Sequence, residues 1–260
     1  MTITPSIKRD YLAKLAANGK RMDGREFDEF RKIELEVNVV SKAEGSARIK
    51  IGNTQVVAGI KMDIGEPYPD SPDSGVMTTA VEMIPMASPD FEAGPPRQDA
   101  IEIARVVDRG IRESGVIELD KLCIDPGEKV WIVFIDIHII DYDGNLFDAA
   151  SLASLAALMT TVVPAERFEI GEDYPLPIKT PPLSCTSVKY NGVIVSDPSL
   201  EENEIAEVRL TVATDENGDI RAMQKGLSGS FTVEEIKKII KASVDNGKKL
   251  RERLYESVGK

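Results

Sequence analysis

The spacing of hydrophobic and polar positions changes several times along the chain, and each change marks an element. Ile33, Leu35, Val37 and Val39 alternate with polar neighbours, which predicts a half-buried strand over 31–40. Residues 46–51 and 54–62 predict a hairpin around Gly52-Asn53, with Ile49 and Ile51 on one face. Strand-like residues 76–86 follow, and 128–140 predicts a long strand. That strand holds the longest apolar stretch, Val130 to Ile140, interrupted by Asp136 and His138. Helical spacing appears in four places. Ser6 is placed to cap a short helix with Ile7, Tyr11 and Leu15 on one face, ending near Asn18-Gly19. Residues 99–114 predict a second helix, with Asp99 as cap and Glu102 three residues on, as in a capping box. Asp148 is expected to cap an alanine-rich helix over 149–161, whose small residues allow close packing on a sheet. Thr232 and Glu235 form a capping-box signature before a last helix over 233–257, with Ile236, Ile240 and Val244 inward.

Turn chemistry supplies the punctuation. Asp23-Gly24 marks a turn, and Asn191-Gly192 and Asn217-Gly218 each join β-like runs, a strong hairpin signal. Residues 63–75 carry Pro67, Pro69 and Pro72 among Asp63, Glu66, Asp70 and Asp73, which predicts a solvated loop. Pro175, Pro177, Pro181 and Pro182 predict an extended crossover. Hairpins followed by single helices indicate an α+β fold of mixed and antiparallel sheets in two similar β-rich halves. The expected organisation is an N-terminal helical extension over 1–20, a first half over 21–165, a proline-rich crossover over 166–183 and a second half over 184–260. The whole forms one structural unit.

Charge narrows the function. Among 260 residues, 32 Lys and Arg face 44 Asp and Glu, a net charge of −12. Such a chain repels nucleic acid on average, so RNA binding requires local basic surface and help from a partner. The single histidine, His138, excludes a multi-histidine metal centre. Two isolated cysteines, Cys123 and Cys185, point to a reducing compartment or to core packing. The N-terminus has no apolar secretory core, and no run of 18 apolar residues exists, so the expectation is a cytoplasmic chain without a membrane partner.

Four constellations carry candidate chemistry. Arg105, Arg109 and Arg112 lie within about 60° of arc on the second helix, a row that suits successive phosphates. Glu102, Asp108 and Glu113 border the row, so an ordinary solvated face with helical ion pairs is the competing reading. Asp136 and His138 share a strand face and are expected to form a hydrogen-bonded core or interface pair rather than a metal site. Asp141, Asp143, Asn145 and Asp148 have some of the spacing of a calcium loop. They lack its glycine at position six, and Leu152 stands where its glutamate belongs, so a turn before a helix is expected. Glu201, Glu202, Glu204 and Glu207 are expected to be solvated. No metal and no cofactor is expected.

Several segments together resemble the RNase PH family. They are Arg21-Met-Asp-Gly-Arg25, Glu44-Gly-Ser-Ala47 followed by Gly52-Asn-Thr-Gln-Val56, Ala104-Arg-Val-Val-Asp-Arg-Gly-Ile-Arg112, and Asp136-Ile-His-Ile-Ile-Asp-Tyr-Asp-Gly-Asn145. Their order spans residues 20 to 257. Glu66-Pro-Tyr-Pro-Asp70, Ala87-Ser-Pro89, Gly94-Pro-Pro96 and Pro164-Ala-Glu-Arg-Phe168 are similar to the non-catalytic RNase PH-like subunit of the archaeal exosome ring.

The resemblance implies an RNase PH-like fold and shows where this chain departs from catalytic members. Those members grip inorganic phosphate with a Gly-Gly-Thr-Arg turn at a helix mouth. The matching stretch here is Gly144-Asn-Leu-Phe147, followed by an acid, Asp148, expected to occupy the helix N–H groups that an anion needs. Catalytic members also carry Glu-Asp-Ser-x-Ala-x-x-Asp-Met-Asn, which corresponds to Glu202–Thr211. Their two aspartates are Asn203 and Arg209 here. An amide does no acid–base work and an arginine repels a metal ion. The expectation is therefore no catalytic residue of its own, with RNA contacts from Arg105, Arg109 and Arg112. The implied partners are a catalytic RNase PH-like paralogue in three pairs closing a hexameric ring, RNA-binding cap subunits and single-stranded RNA. Loop 63–75 is expected to touch a cap protein or act as a spacer. The alternatives are a self-sufficient phosphate-dependent 3′→5′ exoribonuclease with acids among Glu201 to Glu207, and a protein-only ring scaffold.

Overall fold

The computed structural model describes residues 6–259, with side chains from residue 9 onward. Helix α1 (Ser6–Ala17) precedes a first sheet of β1 (Ile33–Val37), β2 (Gly45–Ile51), β3 (Thr54–Gly65) and β4 (Val76–Met83), then α2 (Gln98–Ser114), β5 (Cys123–Asp125) and β6 (Lys129–Asp141). Its strand order is β1-β2-β3-β6-β4, with β5 also paired to β6. All pairings are antiparallel except β4 with β6. After α3 (Leu146–Met159), the short strands β7 (Val162–Val163) and β8 (Tyr174–Pro175) pair with each other. The second sheet runs β10-β9-β11-β12, from β9 (Leu183–Tyr190), β10 (Val193–Ser196), β11 (Val208–Thr214) and β12 (Ile220–Gly226). Helix α4 (Leu200–Ile205) lies between β10 and β11, and α5 (Val233–Val258) ends the described chain. The α+β assignment and the three turn-joined hairpins agree with the sequence reading.

Helix α3 organises the core. It packs against β2 and β3 on one side and β9 on the other, and every residue from Leu146 to Leu158 is buried. A helix covered on both sides shows no amphipathic stripe, and its alanines let the two sheets approach. Gly45 serves the same approach: a Cβ there would lie 2.4 Å from the Ala157 carbonyl oxygen. The odd-numbered residues of β6, Trp131 to Ile139, fill the core beside Ile49, Ile51, Val56, Ala58 and Ile60.

Several boundaries and faces differ from expectation, each for a physical reason. Strand β1 stops at Val37 because Asn38 adopts a left-handed backbone (φ 58°), so Val39 leaves the strand and is exposed. Strand β3 runs to Gly65 because Gly65 still pairs with Val130, which shortens the acidic loop. In α1 the inward residues are Leu12 and Ala16, which join a cluster with Val188, Tyr190, Val195 and Ile205, while Tyr11 is exposed. The capping role of Ser6 and the packing of Ile7 fall on side chains outside the described residues. Helix α2 begins at Gln98 with Arg97 as cap residue and no side-chain cap, so Asp99 does not cap it. In α5 the Thr232–Glu235 capping box is formed. Ile236 and Ile240 are only partly buried, and the fully buried line runs through Ile239, Ser243, Leu250 and Leu254.

The double-sided burial of α3 yields a stability test. Ala153→Leu places three added carbons where neither sheet leaves room, and overpacking of this kind costs about 1–3 kcal/mol. Chemical denaturation should show that loss with an unchanged slope. An equally stable variant would contradict the packing described.

Candidate functional site

The corner that would hold chemistry is built where the 143–148 turn, the first turn of α3 and the second sheet meet. A buried ionic network fixes it. Arg21, on the turn before β1, donates to both carboxylate oxygens of Glu202 (2.9 and 2.6 Å) and to the carbonyls of Ser196 (3.0 Å) and Asp197 (2.9 Å). The Asp197 carboxylate accepts from Arg25 Nη1 at 3.0 Å, from Arg31 Nε at 2.9 Å and Nη2 at 2.8 Å, and from Asn145 Nδ2 at 2.7 Å. Burial works to raise the Asp197 pKa, but the Arg31 hydrogen bonds and charge outweigh it and hold the carboxyl below its ordinary value.

Two expectations about acids are corrected here. Glu202 is buried, not solvated: with Ser199 it forms a capping box on α4, and it accepts from Tyr190. Asp148 does not cap α3, because Asn145, in a left-handed backbone (φ 52°), takes the cap position. The Asp148 carboxylate accepts instead from Asn145 Nδ2 (2.8 Å), the Thr186 amide (2.8 Å) and the Thr186 hydroxyl (2.7 Å). Burial pushes its pKa up to about 7 despite these three donors. Asp148 therefore ties α3 to β9 and leaves the helix N–H groups alone.

Two of the residues expected to depart from the catalytic pattern, Phe147 and Arg209, meet in space. The Arg209 guanidinium lies 4.0 Å from the centre of the Phe147 ring, a cation–π contact between β11 and the first turn of α3. The same guanidinium makes an ion pair with Glu102 of α2. Burial lowers the Arg209 pKa from its ordinary value, and Glu102 opposes that shift. Asn203 donates to the Tyr142 hydroxyl at 3.2 Å, and Tyr142 stacks on Phe91 with centroids 5.3 Å apart. The corner thus contains a filled aromatic–guanidinium plug, and two of its buried carboxylates, Asp148 and Asp197, are both held by Asn145 Nδ2.

Arg105, Arg109 and Arg112 are exposed on α2, opposite the buried Ala100, Ile103, Val107 and Ile111. They are not equivalent. Arg112 is held by both carboxylate oxygens of Asp108 (3.0 Å each) and donates to the Met77 carbonyl at 3.0 Å. Arg109 reaches Gln224 of β12 at 3.4 Å. Arg105 bonds to none of the described residues.

The remaining candidates separate. Asp136 is exposed on the outer face of β6, and His138 Nδ1 lies 3.4 Å from Glu82 of β4. The odd-numbered positions of β6 take the core, so Asp136 and His138 form no core pair, and the His138 imidazole lies beside Glu82 instead. Asp143 pairs with Arg31 (3.8 Å) and accepts from Asn53 (3.1 Å). Glu207 accepts from the Asn191 amide at 3.1 Å. Among the described residues, no group of three or more His, Cys, Asp or Glu is arranged to hold a metal ion. Cys185 is buried and Cys123 half-buried, and both are free thiols. Among the described residues no helix is long and apolar enough to cross a membrane.

Comparison with known proteins fixes the family. Residues 29–164 match the model for domain 1 of the 3′ exoribonuclease family, RNase PH, and residues 180–246 match the model for its domain 2. The chain belongs to the RNase PH family. The exosome complex component Rrp42 of Methanocella arvoryzae is 54% identical over 252 residues, 97% of each chain. That of Archaeoglobus fulgidus is 52% identical over 256 residues, 98% of each chain. A chain from the Archaeoglobus fulgidus exosome with RNA bound to the active site superposes with a TM-score of 0.93 at 52% identity, covering 95% of this chain and 98% of that one. A chain of rice Rrp46, at 17% identity and a TM-score of 0.71, shares the RNase PH fold across 92% of this chain and 100% of its own.

The Asp148 network carries a pH signature. A carboxyl whose folded pKa is raised to about 7 binds its proton more tightly folded than unfolded. Its contribution is fully present below the unfolded value near 4 and is lost as pH rises through 7. Asp148→Asn keeps a neutral group at every pH. Relative to the parent, the variant should gain unfolding free energy between pH 5 and pH 8. A difference that stays constant across that range would contradict the assignment.

Proposed function

We propose that this chain is a non-catalytic, RNA-contacting subunit of a hexameric 3′→5′ phosphorolytic exosome ring. It shapes the active site of a catalytic RNase PH-like partner, with three such pairs closing the ring and RNA-binding cap subunits above it. The proposal places the complex in the cytoplasm and divides the chain at the 166–183 crossover.

One observation carries this reading. Where catalytic relatives hold an arginine for phosphate and an aspartate for chemistry, this chain holds Phe147 and Arg209, stacked on each other and sealed by Glu102. In phosphorolysis an oxygen of inorganic phosphate attacks the 3′-terminal phosphorus and the P–O3′ bond breaks. Nucleoside diphosphate leaves, and the freed 3′ oxygen takes a proton. That reaction needs a seat for phosphate and a group to handle the proton. A stacked ring and a paired guanidinium offer neither. Two of the acids among Glu201 to Glu207 on which a self-sufficient enzyme could draw, Glu202 and Glu207, hold Arg21 and the Asn191 amide instead. The close similarity to exosome components from several archaea supports the partner assignment.

RNA contact rests on α2. A chain of net charge −12 gives nucleic acid no general attraction, so a local row must act. Arg105 and Arg109 have the guanidiniums least engaged within the chain, and Arg112 contributes less because Asp108 already holds it. Arg105→Glu with Arg109→Glu in the assembled ring should weaken binding of a labelled oligoadenylate by tenfold or more. The salt slope should fall by about 0.7 for each RNA phosphate that is no longer neutralised. An unchanged affinity and slope would overturn the RNA-contacting role and favour a protein-only scaffold.

A further inference from the structure

We infer that Arg209 is more than the replacement of a catalytic acid: it is a positioning residue that clamps the arginine row of α2 against the second sheet. The inference rests on the RNA-contacting role proposed above. Four elements meet at this one side chain. It leaves β11, stacks on Phe147 at the start of α3, and pairs with Glu102 of α2. Its opposite neighbour in the sheet is Gly226 of β12.

The geometry requires that glycine. A Cβ at position 226 would stand 2.5 Å from Arg209 Nη2 and 2.9 Å from its Cζ. Nη2 is the atom that meets Glu102. Any side chain at 226 therefore pushes the guanidinium off its partner. The Phe147 ring closes one side and the Gly226 backbone the other, so the fork has one available direction, toward α2. Arg209 is 8% exposed, and its Nε is buried without a hydrogen-bond partner. That unpaired donor is the cost of a side chain held by its planar end and its stacked face.

The clamp acts on the row itself. Glu102, Arg105 and Arg109 stand at i, i+3 and i+7, which places them on one face of α2. Glu102 anchors that face to β11, and Arg109 touches Gln224 of β12 two turns later. These two ties fix how far the helix is rotated toward the second sheet, and hence where the Arg105 and Arg109 guanidiniums point. An ordinary solvated helix would need neither tie. An arginine in place of the family's acid thus removes one function and supplies another.

The test separates geometry from charge. Gly226→Ala alters no charge but displaces Nη2, whereas Arg209→Met removes the clamp outright. Both variants are assembled with the catalytic partner, ring size is checked, and binding of a labelled oligoadenylate is measured beside Arg105→Glu/Arg109→Glu. Each clamp variant should weaken binding about three- to tenfold in an intact ring, and Gly226→Ala combined with Arg209→Met should lose no more than the worse single variant, because both break one interaction. If Gly226→Ala binds like the parent while Arg209→Met weakens binding, Arg209 acts by charge and the clamp is wrong. If both clamp variants bind normally while Arg105→Glu/Arg109→Glu does not, the clamp falls and the RNA-contacting role stands. If all three bind normally, that role fails and takes the clamp with it.

Discussion

The carboxylate of Asp197 is the constraint on which the rest of the structure depends. It is buried, charged and held by Arg25, Arg31 and Asn145, while its own carbonyl accepts from Arg21. A buried ion without partners costs several kcal/mol, so the segments that supply the partners must all be present together. They are residues 21–31, the turn before α3 and the end of β10. One acid thereby joins the chain's N-terminal turn, its middle and its second sheet. Asp197 itself adopts a left-handed backbone (φ 46°), a conformation a non-glycine residue holds when its surroundings over-determine it.

With that joint in place, the mouth of α3 has little freedom. Asn145 takes the cap position, Asp148 is drawn sideways to Thr186, and Phe147 is left facing β11. The family resemblance implies that in a catalytic relative this mouth offers helix N–H groups and an arginine to phosphate. Here the Phe147 ring stands at that mouth with the Arg209 guanidinium against it. The two residues expected to depart from the family pattern form one physical unit, because Phe147 supplies the face on which Arg209 lies and Glu102 balances its charge.

Much of the fold is legible in the sequence because it follows from local rules. The alternation in β2, β3 and β6, the Asn-Gly hairpins and the Thr232–Glu235 box are all short-range signals, and each forms its predicted element. The caps of α2 and α3 depart from the sequence pattern because Asp99 and Asp148 fit that pattern while tertiary context sets the termini elsewhere. The Ser199–Glu202 box is visible as Ser-x-x-Glu, but the acids around it give the segment the look of a solvated loop. The Arg21–Glu202 pair spans 181 residues and the Arg209–Glu102 pair 107, so no local pattern announces them. For the candidate site, the sequence resemblance marks which residues are expected to depart from the catalytic pattern. The structure adds that two of them, Phe147 and Arg209, touch, while Asn203 bonds to Tyr142.

The proposed role follows from this division of labour: a chain that keeps the family's scaffold, fills its own chemical corner and presents arginines to a substrate held elsewhere. The most direct measurement is phosphate-dependent release of nucleoside diphosphate from a short oligoadenylate, with this chain alone, a catalytic paralogue alone, and the two together. The account predicts no release from this chain alone and release from the mixture well above that of the paralogue. Phosphate-dependent release from this chain by itself, free of any partner, would contradict it, because a corner closed by Phe147 and Arg209 could not then be inert.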